Sequence, residues 1–254
     1  MTKCTWLGWD VDNRIRISSP HLETLVFHTP RLVTSSGIMI HAPNLVCLGY
    51  RGDAADAYDL SNFGSLNRAN VRLRAIDAVP SDSKRQQIWN LWRVLSNVTV
   101  LTISGPTLEA LSYSARDVPK FPNLARFEVT SDFKHFAQEA LLLLLLDAPN
   151  LSSMVLHQLP FLGADEEDSR VWVQQRATHH QFAQLKSFTI NSLYGDQNDL
   201  DMLKLILSNS PILEDMILAF PQELEPDPIS ELEVTKKISE FRRSSPLCAV
   251  RFKG

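Results

Sequence analysis

Seven histidines and 29 carboxylates supply raw material for catalysis or metal binding, and one segment brings the two types close together. The carboxylates Asp165, Glu166, Glu167 and Asp168 precede the adjacent pair His179 and His180. Imidazole and carboxylate suit a divalent cation, and a metal-bound water there would make a hydrolase. Adjacent residues, however, point to different sides of a helix or strand, so His179 and His180 do not share a face. Both groups are expected to be solvated on one long insertion, with no metal and no cofactor. HExxH, GxSxG, P-loop and glycine-rich dinucleotide phrases do not occur. The chain is expected not to be an enzyme.

Cysteine chemistry is equally thin. Cys4, Cys47 and Cys248 are too few and too scattered for a disulfide framework or a zinc module. Cys47 and Cys248 fall on strand-like stretches and read as packed, inert thiols. Two triplets, Asn97-Val98-Thr99 and Asn150-Leu151-Ser152, have the spacing of glycosylation sites. The opening Met1-Thr2-Lys3-Cys4-Thr5-Trp6 lacks a signal-type apolar stretch, so both triplets read as coincidences. Of the five tryptophans, Trp89 and Trp92 are three apart, and at least one should face a core. Trp6 and Trp9 are expected to be exposed apolar surface near the start, and Trp172 falls on the long insertion.

Composition narrows the partners. Of 254 residues, 44% are apolar and 21% charged, as in soluble globular proteins. The net charge of -4, from 25 basic and 29 acidic residues, argues against a dedicated binder of nucleic acid or anionic membrane. The apolar run from Ala140 to Leu146 is far short of the roughly 20 residues that span a bilayer. A cytoplasmic or nuclear setting is expected, with a protein as the partner.

Recognition of a protein needs a scaffold, and the scaffold is written as a repeated phrase. A small residue or proline is followed by Leu-x-x-Φ-x-Φ, where Φ is apolar. It occurs as Ser19-Pro20-His21-Leu22-Glu23-Thr24-Leu25-Val26-Phe27 and as Ala42-Pro43-Asn44-Leu45-Val46-Cys47-Leu48-Gly49-Tyr50. A weak copy stands at Leu66-Asn67-Arg68-Ala69-Asn70-Val71, then Val98-Thr99-Val100-Leu101-Thr102-Ile103. Further copies open at Phe121-Pro122-Asn123-Leu124, Ala148-Pro149-Asn150-Leu151, Phe182-Ala183-Gln184-Leu185 and Ser210-Pro211-Ile212-Leu213. The anchors at 22, 45, 66, 98, 124, 151, 185 and 213 are 23, 21, 32, 26, 27, 34 and 28 residues apart. Most of these intervals lie in or near the band of about 20 to 29 residues typical of leucine-rich repeats. The two long ones are read as insertions.

The two Φ positions point to the same side of a strand, and the anchor plugs the same core from the turn before it. One such strand buries too little to stand alone, whereas parallel stacking gives a continuous core. The expected fold is therefore an α/β leucine-rich-repeat solenoid, with parallel strands on the concave face and helices and loops on the convex face. Residues flanking the Φ positions should project from the concave face as the partner surface. In the first half these are Thr24, Val26 and His28, then Arg51, then Thr102 and Ser104. Arg126, Glu128 and Thr130 follow, then Ser153, Val155 and His157, then Ser187, Thr189 and Asn191. Their mostly small or polar character suits a protein read by shape and hydrogen bonds.

Helices are expected behind the later strands. Ser83 to Leu95 carries Ile88, Leu91, Trp92 and Leu95 at helical spacing, with Ser81 or Asp82 as the cap. Phe136 to Leu146, entered through Asp132, holds six leucines in a row and should be buried around most of its circumference. Asp199 to Ser208 is a third, stopped by Pro211. The first two repeats are too short for full helices and should return through loops. Arg14 to Ile17 reads as a strand already inside the array. From Pro226 the pattern changes to a helix reaching about Phe241 and a strand from Leu247 to Phe252. Residues 1–225 are thus read as the repeat array and 226–254 as a terminal cap.

The wording of these phrases resembles the leucine-rich-repeat region of plant F-box proteins, especially those with a C-terminal FBD tail. The Ser-Pro-x-Leu and Ala-Pro-Asn-Leu phrases at 19–22, 42–45 and 148–151 carry the resemblance. So do Leu200 to Leu218 and the ending Ile238 to Pro246 followed by Val250-Arg251-Phe252, which is similar to the FBD closing segment. The resemblance implies a repeat region that recruits a target protein. It also implies an upstream F-box that docks on the adaptor of a cullin-type (SCF) ubiquitin ligase. No F-box precedes Ile15, so contact with the adaptor is expected only if one lies upstream in the native product. The alternative is a stand-alone interaction module that competes for a relative's target.

Overall fold

The computed structural model of the chain describes residues 3–6, 14–29, 37–61, 63–74, 81–112, 119–131, 135–159, 182–221 and 228–253. It is a mixed α/β structure in two compact units, residues 1–124 and 125–254. Among the described residues the strand ladders within each unit are parallel.

The first unit has a principal sheet of β1 (Lys3–Trp6), β3 (Thr24–His28), β5 (Cys47–Gly52), β7 (Arg68–Leu73) and β8 (Val100–Ser104), hydrogen-bonded in that order. Between them in sequence run β2 (Arg14–Ser18), β4 (Gly37–His41) and β6 (Ala57–Ser61), which form a second sheet in the order β2-β4-β6. The early repeats therefore return through strands rather than loops. Arg14 to Ile17 belongs to this second sheet, not to the array of repeat strands, and one strand, β1, precedes it. The reason is visible in Gly37-Ile38-Met39-Ile40-His41, where Ile38 and Ile40 are buried while Met39 and His41 are more exposed. An extended return covers about 3.3 Å per residue and needs far fewer residues than a helix.

Helix α1 (Asp82–Leu95) takes over where the second sheet ends. Gln87 Oε1 accepts from the Tyr58 backbone N–H at 3.0 Å and Lys84 pairs with Asp56 at 2.9 Å, so α1 covers the edge of β6. Its expected apolar face, Ile88, Leu91, Trp92 and Leu95, is buried, and the Ser81 hydroxyl caps it by accepting from Lys84 N–H. Trp92 meets Phe121 edge to face at 5.9 Å, while Trp89 is half-buried under the Arg93 guanidinium. A short helix not foreseen in the sequence, α2 (Gly105–Ser112), follows β8 directly. Its Gly-Pro opening looks like a breaker, but proline is tolerated in a first helical turn, where its missing N–H has no partner to lose.

The second unit carries β9 (Arg126–Ser131), β10 (Ser153–Gln158), β11 (Ser187–Asn191), β12 (Asp215–Ala219) and β13 (Ala249–Lys253), paired in that order. Its helices are α3 (His135–Leu146), α4 (Gln197–Asn209) and α5 (Pro228–Ser239). None of the six leucines of α3 is exposed, as their run predicts. Leu142 of α3 and Leu205 of α4 pack together, with Leu146 and Phe182 against them. Asp196 caps α4 by accepting from Asp199 N–H at 2.8 Å.

All eight anchors are buried, each at 5% exposure or less, and each stands two residues ahead of a strand. The lead-in turns explain their wording. The anchor N–H donates back to the carbonyl three residues earlier in seven of the phrases, for example Leu45 to Ala42 at 3.0 Å and Leu151 to Ala148 at 3.2 Å. Proline in Ala-Pro-Asn-Leu then occupies the second position of a β-turn, where its fixed φ fits and no donor is needed. Just past the anchor, two successive N–H groups share one carbonyl of the previous repeat, as Val46 and Cys47 do on Glu23. The Φ pairs, from Leu25 and Phe27 to Met216 and Leu218, are all buried. Tyr50 fills one such place, stacked on Phe27 at 4.8 Å, and burial pushes its phenol up to about 12, so it stays a neutral donor.

Candidate partner-binding face

The face of each principal sheet opposite the Φ side chains is open. In-register pairing sorts its residues into rows, at positions two, four and six past each anchor. In the first unit one row is Thr24, Cys47, Arg68 and Val100, and the next is Val26, Gly49, Asn70 and Thr102. A third joins His28, Arg51 and Arg72. In the second unit the rows begin at Arg126, Glu128 and Thr130. They read Arg126, Ser153, Ser187, Asp215, Ala249; then Glu128, Val155, Thr189, Ile217, Arg251; then Thr130, His157, Asn191, Ala219, Lys253.

Every expected surface residue lies on this open face, and none is buried. His28, Arg51 and Arg126 are exposed and the other twelve are half-buried. Ser104 is set apart from them, because its hydroxyl turns back to donate to Leu73 O at 2.7 Å and meets Thr107 Oγ1 at 2.9 Å. In the second unit Glu128, His157 and Asn191 form one polar run across three strands. Glu128 Oε1 lies 3.3 Å from His157 Nε2, and Asn191 Nδ2 lies 3.1 Å from His157 Nδ1. Arg126 and Asp215 are neutralised near the ends of this face by Glu128 at 4.0 Å and Arg251 at 2.7 Å.

Sequence reasoning missed Arg68, Asn70 and Arg72 on β7, and Asp215, Ile217, Arg251 and Lys253 at the other end. The signal was present: the same offsets applied to the weak phrase at Leu66 give all three β7 residues. Cys47 also differs from expectation. It is half-buried on the open face rather than packed behind it, whereas Cys248 is buried and its thiol pushed up by that burial. The carboxylates Asp165 to Asp168, the pair His179 and His180, and Trp9 and Trp172 lie outside the described residues, as does the side chain of Trp6. Among the described residues no three metal-ligating side chains come together. Two clefts, one beside Tyr58 and Asn90 and one beside Leu145 and Phe182, hold about 140 Å³ each, well under the usual size of a small-molecule pocket. Among the same residues, no helix is long and apolar enough to cross a membrane.

The chain is similar in sequence to several curated plant proteins. An F-box/LRR-repeat protein of Arabidopsis thaliana is 26% identical over 227 residues, covering 85% of this chain and 47% of its own length. A second from the same plant is 28% identical over 225 residues, covering 80% and 46%. An F-box/FBD/LRR-repeat protein, also of Arabidopsis thaliana, is 27% identical over 255 residues, covering 95% and 55%. The chain resembles the leucine-rich-repeat region of plant F-box/FBD/LRR-repeat proteins. It spans about half the length of the curated relatives it matches. No family model matches the chain. No solved structure matches it either.

Proposed function

We propose that this chain is the protein-binding leucine-rich-repeat part of an F-box-type substrate receptor of a cullin (SCF) ubiquitin ligase, without catalysis of its own. In this reading the parallel strands and their backing elements stack as a solenoid of about eight irregular repeats over residues 1–225. Residues 226–254 close it as an FBD-like cap, with α5 and β13 covering the last apolar layer. The open strand face holds the target protein, in the cytoplasm or nucleus. The observation that carries the reading is the recurrence of a buried anchor two residues ahead of each repeat strand, in a chain whose relatives are named for F-box and leucine-rich repeats. Stacked repeats of this kind build extended surfaces suited to macromolecular partners.

Immunoprecipitation of the endogenous protein, probed for the cullin adaptor, tests the ligase half of the proposal. Recovery of the adaptor is expected. Its absence, with other proteins still co-purifying, would contradict ligase docking and favour a stand-alone module that competes for the target of a complete relative.

A further inference from the structure

Four residues on the open face of the first unit form a basic patch with no carboxylate among the strands that carry it. His28, Arg51 and Arg72 stand side by side in register on β3, β5 and β7. Arg68 lies four residues back along β7 on the same face. All four are exposed. The strands read TLVFH, CLGYRG, RANVRL and VLTIS, with no Asp or Glu in any of them. Asp53, just past β5, is occupied: Arg74 holds it at 2.8 and 3.0 Å and also donates to Thr29 O. Among the described residues Arg51 and Arg68 have no side-chain hydrogen bond or ion pair, and Arg72 is only steadied by Asn70 Oδ1 at 3.2 Å.

Like charges directly opposite each other on neighbouring strands destabilise a sheet. Arg51 and Arg72 are such a pair, kept without an internal counter-charge. Building on the reading that the open face binds protein, we infer that this patch takes an extended segment of the partner bearing at least two carboxylate side chains. The row from His28 to Arg72 spans two strand spacings, roughly 10 Å, which is about three residues of extended chain. Carboxylates two or three residues apart would therefore meet separate guanidinium groups, each able to bind one in a forked geometry. Val26 and Gly49, in the row beside His28 and Arg51, add no charge that would compete with such a segment. A single-stranded nucleic acid is a poorer fit, because no Phe, Tyr or Trp stands on the open face of β3, β5, β7 or β8 for bases to stack on.

The test uses the full chain and a fluorescent peptide of alternating glutamate and serine, read by anisotropy at low salt. Its glutamine counterpart and an oligo(dT) of equal charge serve as comparisons. The glutamate peptide is expected to bind, the glutamine peptide is not, and R51Q/R72Q is expected to weaken binding at least about tenfold. K236Q/K237Q, exposed on α5 and away from the open strand face, is expected to leave affinity unchanged. The melting temperature of R51Q/R72Q should stay level or rise as the like-charge pair is removed, so misfolding is separable from lost contact. No binding by the wild type, equal binding by R51Q/R72Q, equal loss in K236Q/K237Q, or tighter binding of oligo(dT) would overturn the acidic-segment assignment. None of these would touch the adaptor result, on which the receptor reading stands or falls separately.

Discussion

Asn191 Nδ2 donates to His157 Nδ1 at 3.1 Å across neighbouring strands, and that one contact sets which ring nitrogen carries the proton. With Nδ1 accepting, the neutral ring must be protonated at Nε2, which then donates to Glu128 Oε1 at 3.3 Å. Three strands thus carry an ordered acceptor, ring and amide side by side on the open face. Long-range nitrogen–proton spectra of the neutral ring should show Nε2 protonated in the wild type and a mixture of tautomers in Asn191→Ala. A dominant Nδ1–H form in the wild type would contradict the arrangement.

A second carboxyl is buried and expensive. Asp199, in the first turn of α4, is only 3% exposed. It accepts from Gln158 Nε2 at 2.5 Å and from the backbone N–H groups of Tyr194 and Gly195 at 3.1 and 2.9 Å. Burial, reinforced by the charge of Asp196, pushes its carboxyl up to about 6 despite those bonds. The folded state therefore binds the proton more tightly than the unfolded chain. Its stabilising effect is full below about pH 4 and is lost as pH rises through about 6, a swing of roughly 2–3 kcal/mol. Asp199→Asn should flatten stability across that interval and melt no lower than the wild type at pH 7. Urea titrations at several pH values would show it, and an unchanged pH slope would contradict it.

Thr107 of α2 is fully buried and ties the helix to β7 through one hydroxyl. It accepts from Leu73 N–H at 2.8 Å and donates to Val71 O at 3.1 Å. Thr107→Val keeps the shape but leaves a buried N–H without a partner, at a cost of about 1–3 kcal/mol. Thr107→Ser keeps both bonds and should cost less. Equal losses in the two variants, measured by denaturant unfolding, would mean that packing rather than hydrogen bonding holds α2.

Gly195 sits at a φ of +76°, and a Cβ there would stand 2.5 Å from Val234 Cγ2 of α5. Gly195→Ala should cost about 1–2 kcal/mol or more from backbone strain and the clash together. Because Val234→Ala relieves the clash but not the strain, the double variant should lose less than the sum of the singles. Strict additivity in thermal unfolding would contradict that contact.

Much of this was legible because the repeat obeys offsets. Leu22, Leu45 and their counterparts announce a turn, a strand two residues later and an open face at alternate positions. The reading faltered where the offsets were not carried to every phrase, so Arg68 and Arg72 after Leu66, and Asp215 and Ile217 after Leu213, were passed over. The second sheet escaped because Ile38, Ile40, Tyr58 and Leu60 carry no leucine phrase, only alternation. Asp199 was not legible at all. An acid in a first helical turn ordinarily reads as solvated, and only the loop through Ser192, at a φ of 65°, and Gly195 brings two amides onto it.

The central claim is that the open strand face is where a protein partner is held. Photo-crosslinking residues placed at Ser153 and Thr189 on that face, and at the exposed Lys204 on the back of α4, test it in plant cells. Ser153 and Thr189 are expected to capture the same protein, and Lys204 is not. Capture of a shared partner from Lys204, with none from either strand position, would contradict it.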